Sequence, residues 1–142
     1  MKLLNPLRRN ALLCMLLCLV ASCGGYDNTR AEELIDKYNN TGRLTHKEYG
    51  ELIDMSAEAM EHCVSLYSNL AKQSDRMSAD EYQTAFSQMK NDILEKYVYL
   101  NDIINILSSS KRAMGEQNYN QWMAENQKFD QNIKLISETI KN

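Results

Sequence analysis

The side chains best suited to chemistry in this sequence are a glutamate pair and a histidine near position 60. Glu58 and His62 are four residues apart, so a helix would place them on one face, with Glu61 beside them. Carboxylate and imidazole groups are metal ligands. A helical zinc or dinuclear site needs two histidines in one motif or two Glu-x-x-His pairs, and neither pattern is present. We therefore expect a polar surface cluster, with Glu58, Glu61 and His62 as the candidate metal ligands.

A second candidate site is the segment 37–48, which resembles an EF-hand calcium loop between two helices. Gly42, Leu44 and Glu48 match the glycine, the apolar residue and the final glutamate of that loop. The first ligand position holds Lys37 instead of aspartate, which leaves Glu48 as the only carboxylate. A glycine that ends one helix and a capping box that begins the next explain the same residues. We therefore expect a helix–turn–helix connection here rather than a calcium site.

Motifs of enzymes are missing elsewhere in the sequence. There is no Gly-x-Ser-x-Gly motif, no histidine with an evident serine partner, and no glycine-rich phosphate loop. We therefore predict that the protein is not an enzyme.

The N-terminus has the three parts of a secretory signal. Lys2, Arg8 and Arg9 are its positive residues, an apolar run covers residues 11–20, and small residues follow. The apolar run is too short to span a membrane as a helix, which takes about 20 residues. This pattern predicts a leader that is removed.

The residues after that run, Leu19, Val20, Ala21, Ser22 and Cys23, resemble the lipobox of bacterial lipoproteins. The resemblance implies that lipoprotein signal peptidase removes residues 1–22 and that Cys23 becomes a lipid anchor. Two acyl chains suffice for stable anchoring.

The residue after the lipidated cysteine bears on where such a protein is sorted. Gly24 stands where an aspartate favours the inner membrane in this class, so we expect the outer membrane. The alternative is an ordinary secretory signal with an incidental cysteine.

Removal of the leader changes the charge and the cysteine content. Residues 23–142 carry 13 basic and 19 acidic residues, a net charge of −6, which argues against nucleic acid and anionic lipid as partners. Apart from Cys23, the only cysteine left is Cys63, so an internal disulfide is excluded and stability has to come from packing. We predict a tether over 23–29 and one domain over 30–142.

Apolar spacings of three and four residues, and a single proline that lies in the leader, predict a helical domain. The helices are expected over residues 30–39, 46–73, 79–110 and 119–140. Capping boxes are expected at Thr29–Glu32, Thr45–Glu48 and Ser78–Glu81. The predicted fold is an all-α, antiparallel up-down bundle of three long helices with a short leading helix. The third helix has the widest apolar face and should be central, and Asn126 should fix the register of the last helix.

These features together predict a lipid-anchored protein of the bacterial cell envelope with a non-catalytic helical domain. Its expected role is to bind, inhibit or assist another envelope protein, with no cofactor apart from the covalent lipid on Cys23. The alternative is an envelope lipoprotein that binds a metal or a small ligand at the Glu58–His62 cluster or at the Gly42 loop.

Overall fold

The computed structural model describes residues 28–140, and the regular structure of this part of the chain is helical. The helices are α1 (Thr29–Thr41), α2 (His46–Gln73), a 3₁₀ turn (Ser74–Arg76), α3 (Ala79–Lys96), α4 (Leu100–Ser109) and α5 (Glu116–Ile140). This confirms the all-α class. The predicted leader, the lipobox residues Leu19 to Ser22 and the anchor Cys23 lie outside the described residues.

Two of the three predicted capping boxes are present. At the start of α2, the Thr45 Oγ1 accepts from the Glu48 amide at 3.2 Å, and the Glu48 carboxylate accepts from the Thr45 amide at 2.8 Å. The same pair of bonds joins Ser78 and Glu81 at the start of α3, at 3.3 and 2.9 Å. Each box satisfies backbone amides that a helix start leaves without partners.

The predicted capping box at Thr29 is wrong. Helix α1 already includes Thr29, and its N-cap is Asn28, whose side chain makes no capping bond. The side-chain Nδ2 of Asn28 lies instead 3.5 Å from the backbone carbonyl oxygen of Lys96, at the end of α3. Helix α1 ends as expected at Gly42, which has φ 66° and donates its backbone N–H to the Tyr38 carbonyl at 2.7 Å.

The predicted third helix over 79–110 is wrong because it is two helices. Tyr97 ends α3 with φ −114° and ψ 51°, and α4 begins at Leu100. The intervening Tyr-Val-Tyr segment consists of residues with modest helix propensity. The Tyr97 hydroxyl also reaches His62 on α2, at 3.0 Å from its Nδ1. The apolar spacing continues across this break, so periodicity alone does not reveal it.

Helix α2 is the central helix, not the predicted third one. It packs against α1, α3, α4 and α5, whereas α3 and α5 both lie along α2 rather than along each other. The wide apolar face of the predicted third helix is divided by the break. Its α4 part buries Ile103, Ile106 and Leu107, while its α3 part has no buried residue.

One end of the molecule has a well-covered core, which we call the closed end. It is formed by α1, residues 46–59 of α2, α4 and the α4–α5 connection. Its buried apolar residues are Ala31, Leu34, Ile35, Tyr49, Leu52, Ile53, Ile103, Ile106, Leu107 and Met114.

The start of α5 joins the closed end through a close approach to α2. Gly115 has φ 83°, and a Cβ there would lie 3.3 Å from Cε1 of His46. The Asn118 Nδ2 donates to the His46 carbonyl at 2.7 Å. Because only glycine combines this backbone conformation with so close a contact, Gly115 sets where α5 begins. The helix therefore starts at Glu116, three residues before the predicted position.

The remainder of the domain is much less covered, and we call it the open half. It consists of residues 60–73 of α2, the whole of α3 and residues 123–140 of α5, and in these segments Leu70 alone is buried. Asn126 lies here, half-buried, and its Nδ2 donates to the Trp122 carbonyl of its own helix at 2.7 Å. No helix within residues 28–140 has the length and apolar character needed to cross a membrane.

Candidate functional site

The closed end contains a pocket of about 450 Å³ where several helix ends meet, and we call it the tyrosine pocket. The end of α1, the first turns of α2 and the residues that follow α4 form its wall. The lining residues are Tyr38, Gly42, Tyr49, Ser109, Ser110, Lys111, Arg112 and Ala113. Short turns on both sides bring these residues together, one ending at Gly42 and the other following Ser109.

Hydroxyl groups form one side of the tyrosine pocket. The Tyr38 hydroxyl lies 3.4 Å from the Ser109 Oγ and accepts from the Ser110 Oγ, also at 3.4 Å. The hydrogen bond with Ser109, and to a smaller extent that with Ser110, lowers the pKa of Tyr38, whereas burial raises it. The two serines therefore hold the Tyr38 ring in place at the pocket wall.

Tyr49 is the most buried residue of the pocket wall, with no exposed surface. Its hydroxyl oxygen is buried and has no hydrogen-bond partner among the described residues. A buried hydroxyl without a partner costs about 1–3 kcal/mol. The Tyr49 side chain therefore supports the pocket wall from behind, and its hydroxyl is enclosed by the protein.

Two cationic side chains stand at the exposed side of the pocket. The Lys111 Nζ lies over the ring of Tyr119, 4.6 Å from its centroid. Arg112 is exposed and makes no hydrogen bond or ion pair with any residue of the described part of the chain. Both follow the C-terminus of α4, where a positive charge also stabilises the helix dipole.

Two of the three candidate metal ligands are engaged by side chains of other helices or of the α3–α4 break. The Glu61 Oε1 lies 2.6 Å from the Lys128 Nζ of α5. The Nδ1 of His62 lies 3.0 Å from the Tyr97 hydroxyl and 3.3 Å from the Lys96 Nζ. Glu58 is exposed on the same helix. Within residues 28–140, no three histidine, cysteine or carboxylate side chains are close enough together to hold a metal ion.

The environment of His62 also disfavours a bound cation. Burial lowers the pKa of His62, the Lys96 ammonium lowers it further, and Glu58 opposes them. Because an ammonium can only donate a hydrogen bond, the Nδ1 that lies 3.3 Å from the Lys96 Nζ carries no proton in this contact. The arrangement therefore joins α2 to the end of α3 through a neutral histidine.

The EF-hand-like segment is a helix–turn–helix connection, as predicted. The Lys37 Nζ lies 2.6 and 2.9 Å from the two carboxylate oxygens of Glu48, so an ion pair joins the first and last ligand positions of the loop. The hydrogen bond from Lys37 has the largest effect on Glu48, and that from the Thr45 backbone amide has the next largest. Together they lower the pKa of Glu48 to about 2. The glutamate that would bind calcium therefore caps α2 and pairs with α1.

Cys63, the remaining thiol of the domain, is half-buried and unpaired. Burial raises the pKa of its thiol, which disfavours the reactive thiolate. This agrees with the role of a small apolar residue in the helix interface.

Sequence reasoning missed the tyrosine pocket. Tyr38 and Tyr49 were visible only as members of apolar stripes on either side of Gly42. The one local signal was the run Ser108-Ser-Ser-Lys-Arg112, which places hydroxyls and cations directly after a helix. Nothing in that run indicates which other segments lie against it, so the pocket could not be assembled from the sequence.

Comparison of this chain with protein-family models, curated proteins and solved structures finds no match. A functional conclusion therefore has to rest on the sequence motifs and on the contacts described above.

Proposed function

We propose that this protein is a bacterial envelope lipoprotein, anchored by a lipid on Cys23, whose helical domain binds another envelope protein and catalyses no reaction. The lipobox-like residues Leu19 to Cys23 support the anchor. The open half supports the binding role, because its apolar side chains are only partly covered by the rest of the domain.

The proposed fold is an up-down-up arrangement with α1 as a short leading helix. Contacts between α2 and α3 run in opposite order along the two helices, and those between α2 and α5 run in the same order. The α2–α3 pairs are His62 with Tyr97 and Tyr67 with Phe86. The α2–α5 pairs are His46 with Asn118, Asp54 with Gln121 and Glu61 with Lys128. In this arrangement α3 and α4 together form the descending limb.

The observation that carries the binding role is the exposure of apolar side chains around the end of α3. Leu94, in the last turn of α3, and Val98, in the segment that follows it, are 52% and 58% exposed. Clustered exposed apolar side chains mark interaction surfaces more often than isolated ones do. The net charge of −6 after the leader favours a partner whose apolar face is bordered by lysine and arginine.

Co-purification from envelope membranes tests this surface. The full-length protein with Cys23 intact should retain a bound envelope protein, and Leu94→Glu should release it because a carboxylate replaces an apolar contact. Gln83→Glu is the matched control, since it adds the same charge at another exposed position of α3. Equal retention by both variants, or recovery of only a second copy of this chain, would contradict the proposal.

Palmitate labelling in cells tests the anchor. Cys23→Ser should abolish labelling and leave the uncleaved precursor, whereas Cys63→Ser should be labelled and cleaved normally. Persistent labelling of Cys23→Ser would contradict the assignment of the anchor.

A second candidate function, small-ligand binding, is favoured by the tyrosine pocket, whose volume of about 450 Å³ falls in the usual range of small-molecule sites. The metal-binding form of this alternative has no such support, because Glu61 and His62 are engaged by Lys128, Tyr97 and Lys96.

A further inference from the structure

We propose that the partner bound by Leu94 and Val98 is a protein embedded in the same membrane as the lipid anchor, which the domain meets at the membrane surface. This inference rests on the proposed function, because it takes the lipid on Cys23 and the binding role of the two apolar residues as its starting point. It adds the class of partner, which follows from where the chain enters the domain and from how short the tether is.

The chain enters the domain beside the exposed apolar residues rather than at either end of the molecule. Asn28 is the first described residue, and its side-chain Nδ2 lies 3.5 Å from the backbone carbonyl oxygen of Lys96. Leu94 and Val98 stand two residues on either side of Lys96, so their Cα atoms lie within about 8 Å of its Cα. The entry point of the tether and the two exposed residues are therefore neighbours.

The tether is too short to let the anchor lie far from that entry point. Asn28 follows Cys23 by five residues, and a chain of five residues spans at most about 18 Å when it is fully extended. The membrane surface that holds the acyl chains therefore lies within about this distance of Asn28.

The dimensions of the helices then determine how the domain lies. From Lys96 back to Ala79, helix α3 extends about 27 Å toward the end of the open half, and α1 extends about 20 Å from Thr29 toward the closed end. A domain that stood on either end would hold Asn28 at about these heights above the membrane, which exceed the reach of the tether. The long axis of the domain therefore has to run along the membrane, with the side around Asn28 and Lys96 turned toward it.

Electrostatics disfavour the lipid surface itself as the occupant of this patch. Residues 23–142 carry a net charge of −6, and Glu95, which directly follows Leu94, is exposed. Segments that bind a bilayer surface combine apolar side chains with lysine and arginine, which anionic headgroups attract. Lys96 directs its Nζ to His62 instead, at 3.3 Å from the Nδ1.

A protein embedded in the membrane suits both the charge and the position of the patch. Long basic side chains near the ends of membrane-spanning segments reach the headgroup level, where they would face the acidic domain. An adjacent apolar surface of the same protein would cover Leu94 and Val98. Two proteins held in one membrane also meet at a high effective concentration, so a contact of few side chains is sufficient.

Fluorescence quenching in vesicles tests the orientation. The full-length lipidated protein with Cys63→Ser is reconstituted in vesicles of phosphatidylethanolamine and phosphatidylglycerol, with a bimane fluorophore attached at Val98→Cys. Lipids with a nitroxide on the headgroup should quench this fluorophore several-fold more than the same fluorophore at Gln83→Cys or Arg43→Cys, which are exposed positions near the two ends of the domain. Lipids with a nitroxide deep in the acyl chain should quench it weakly, and circular dichroism should show that each variant remains helical.

Carbonate extraction tests the class of partner. Sodium carbonate at high pH strips peripheral and soluble proteins from membranes and leaves embedded proteins in place. The protein that co-purifies with the parent chain and with Gln83→Glu, and that Leu94→Glu loses, should therefore remain in the membrane pellet after this treatment.

The outcomes separate this inference from the proposed function. Equal quenching at the three positions, or stronger quenching near one end, would overturn the orientation. A Leu94-dependent partner that carbonate releases would overturn the membrane-embedded class while leaving the proposed function supported. Strong quenching at Val98→Cys by the deep nitroxide would show that lipid covers the patch, and would overturn the inference as well. Retention of the same proteins by Leu94→Glu and by the parent chain would contradict the proposed function, and this inference with it.

Discussion

Helix α2 passes through two different environments, and the contrast between them defines the molecule. At the closed end, its inward residues Tyr49, Leu52 and Ile53 have no exposed surface. In the open half, inward positions at the same helical spacing, such as Cys63, Leu66 and Tyr67, are only half-buried. The apolar stripe is continuous in sequence, so the difference comes from its neighbours. Helices α1 and α4 complete the cover at the closed end, whereas α3 and α5 flank the stripe beyond it.

The contrast shows that apolar periodicity indicates which face of a helix turns inward but not how fully that face is covered. Coverage depends on how many helices surround the face, which is a property of the tertiary structure. Stability should therefore be concentrated at the closed end. The open half is left with apolar surface that a partner can cover.

The largest expected effect is a difference between two identical truncations on α2. Leu52→Ala should lower the free energy of unfolding by about 3 kcal/mol, because it creates a cavity in a fully buried core. Leu66→Ala should cost about half as much, since Leu66 is half-buried and loses less apolar burial. Urea denaturation followed by circular dichroism measures both.

Hydrogen exchange provides the control for this comparison. The backbone amides of Leu52 and Ile53 should exchange far more slowly than those of Leu66 and Tyr67, because the open half can unfold locally. Equal free-energy losses for the two leucine variants, together with equal exchange, would contradict a stability difference between the regions.

Much of the fold follows from local sequence. The bounds of α2 were predicted at His46 and Gln73 and are confirmed, since a capping box marks the start and a polar stretch follows the end. Gly42 was correctly predicted to end α1. Its φ of 66° lies in the left-handed region, which glycine adopts at little cost. The break at Tyr97 was missed because the apolar spacing continues across it, and the contact of Tyr97 with His62 on another helix is not visible in local sequence.

The tyrosine pocket could not be predicted for the same reason. Its residues come from three separated segments, and what makes the pocket notable is the lack of a partner for one hydroxyl, at Tyr49. Local patterns do not contain that information. Conversely, Glu58, Glu61 and His62 were grouped by spacing on one helix, but Lys128 and Tyr97 from other helices engage two of them.

A smaller effect is expected at the two capping boxes. Thr45→Ala and Ser78→Ala remove the same hydroxyl–amide bond, worth about 1 kcal/mol, from the starts of α2 and α3. Thr45→Ala should lower global stability by that full amount, because α2 begins within the closed end. Ser78→Ala should mainly fray the first turn of α3, so the urea midpoint should change less while amide exchange near Glu81 quickens. Equal midpoint shifts would show that the two regions unfold as one unit.

The smallest expected effects are pH-dependent and should appear in the two regions at different pH. Both the His62 and Glu48 pKa values lie below their ordinary values of 6.5 and 4.5. In each case the unfolded chain binds a proton more readily than the folded protein, so stability falls as pH falls. The loss linked to His62, which faces Lys96, Tyr97 and Glu58, should begin below about 6.5 in the open half. The loss linked to Glu48 should occur between about 4.5 and 2 at the closed end.

Melting temperatures measured from pH 7 to pH 2.5 separate the two steps. His62→Gln should remove the decline in stability that begins below about pH 6.5 and leave the decline between about pH 4.5 and 2. Glu48→Gln should remove the decline at lower pH, leave the one that begins below about pH 6.5, and lower stability at pH 7. His46→Gln is the control for loss of a histidine elsewhere. If His62→Gln leaves the decline below pH 6.5 unchanged, the neutral His62 does not link α2 to α3. The open half then has to be held by its apolar contacts and the Glu61–Lys128 ion pair.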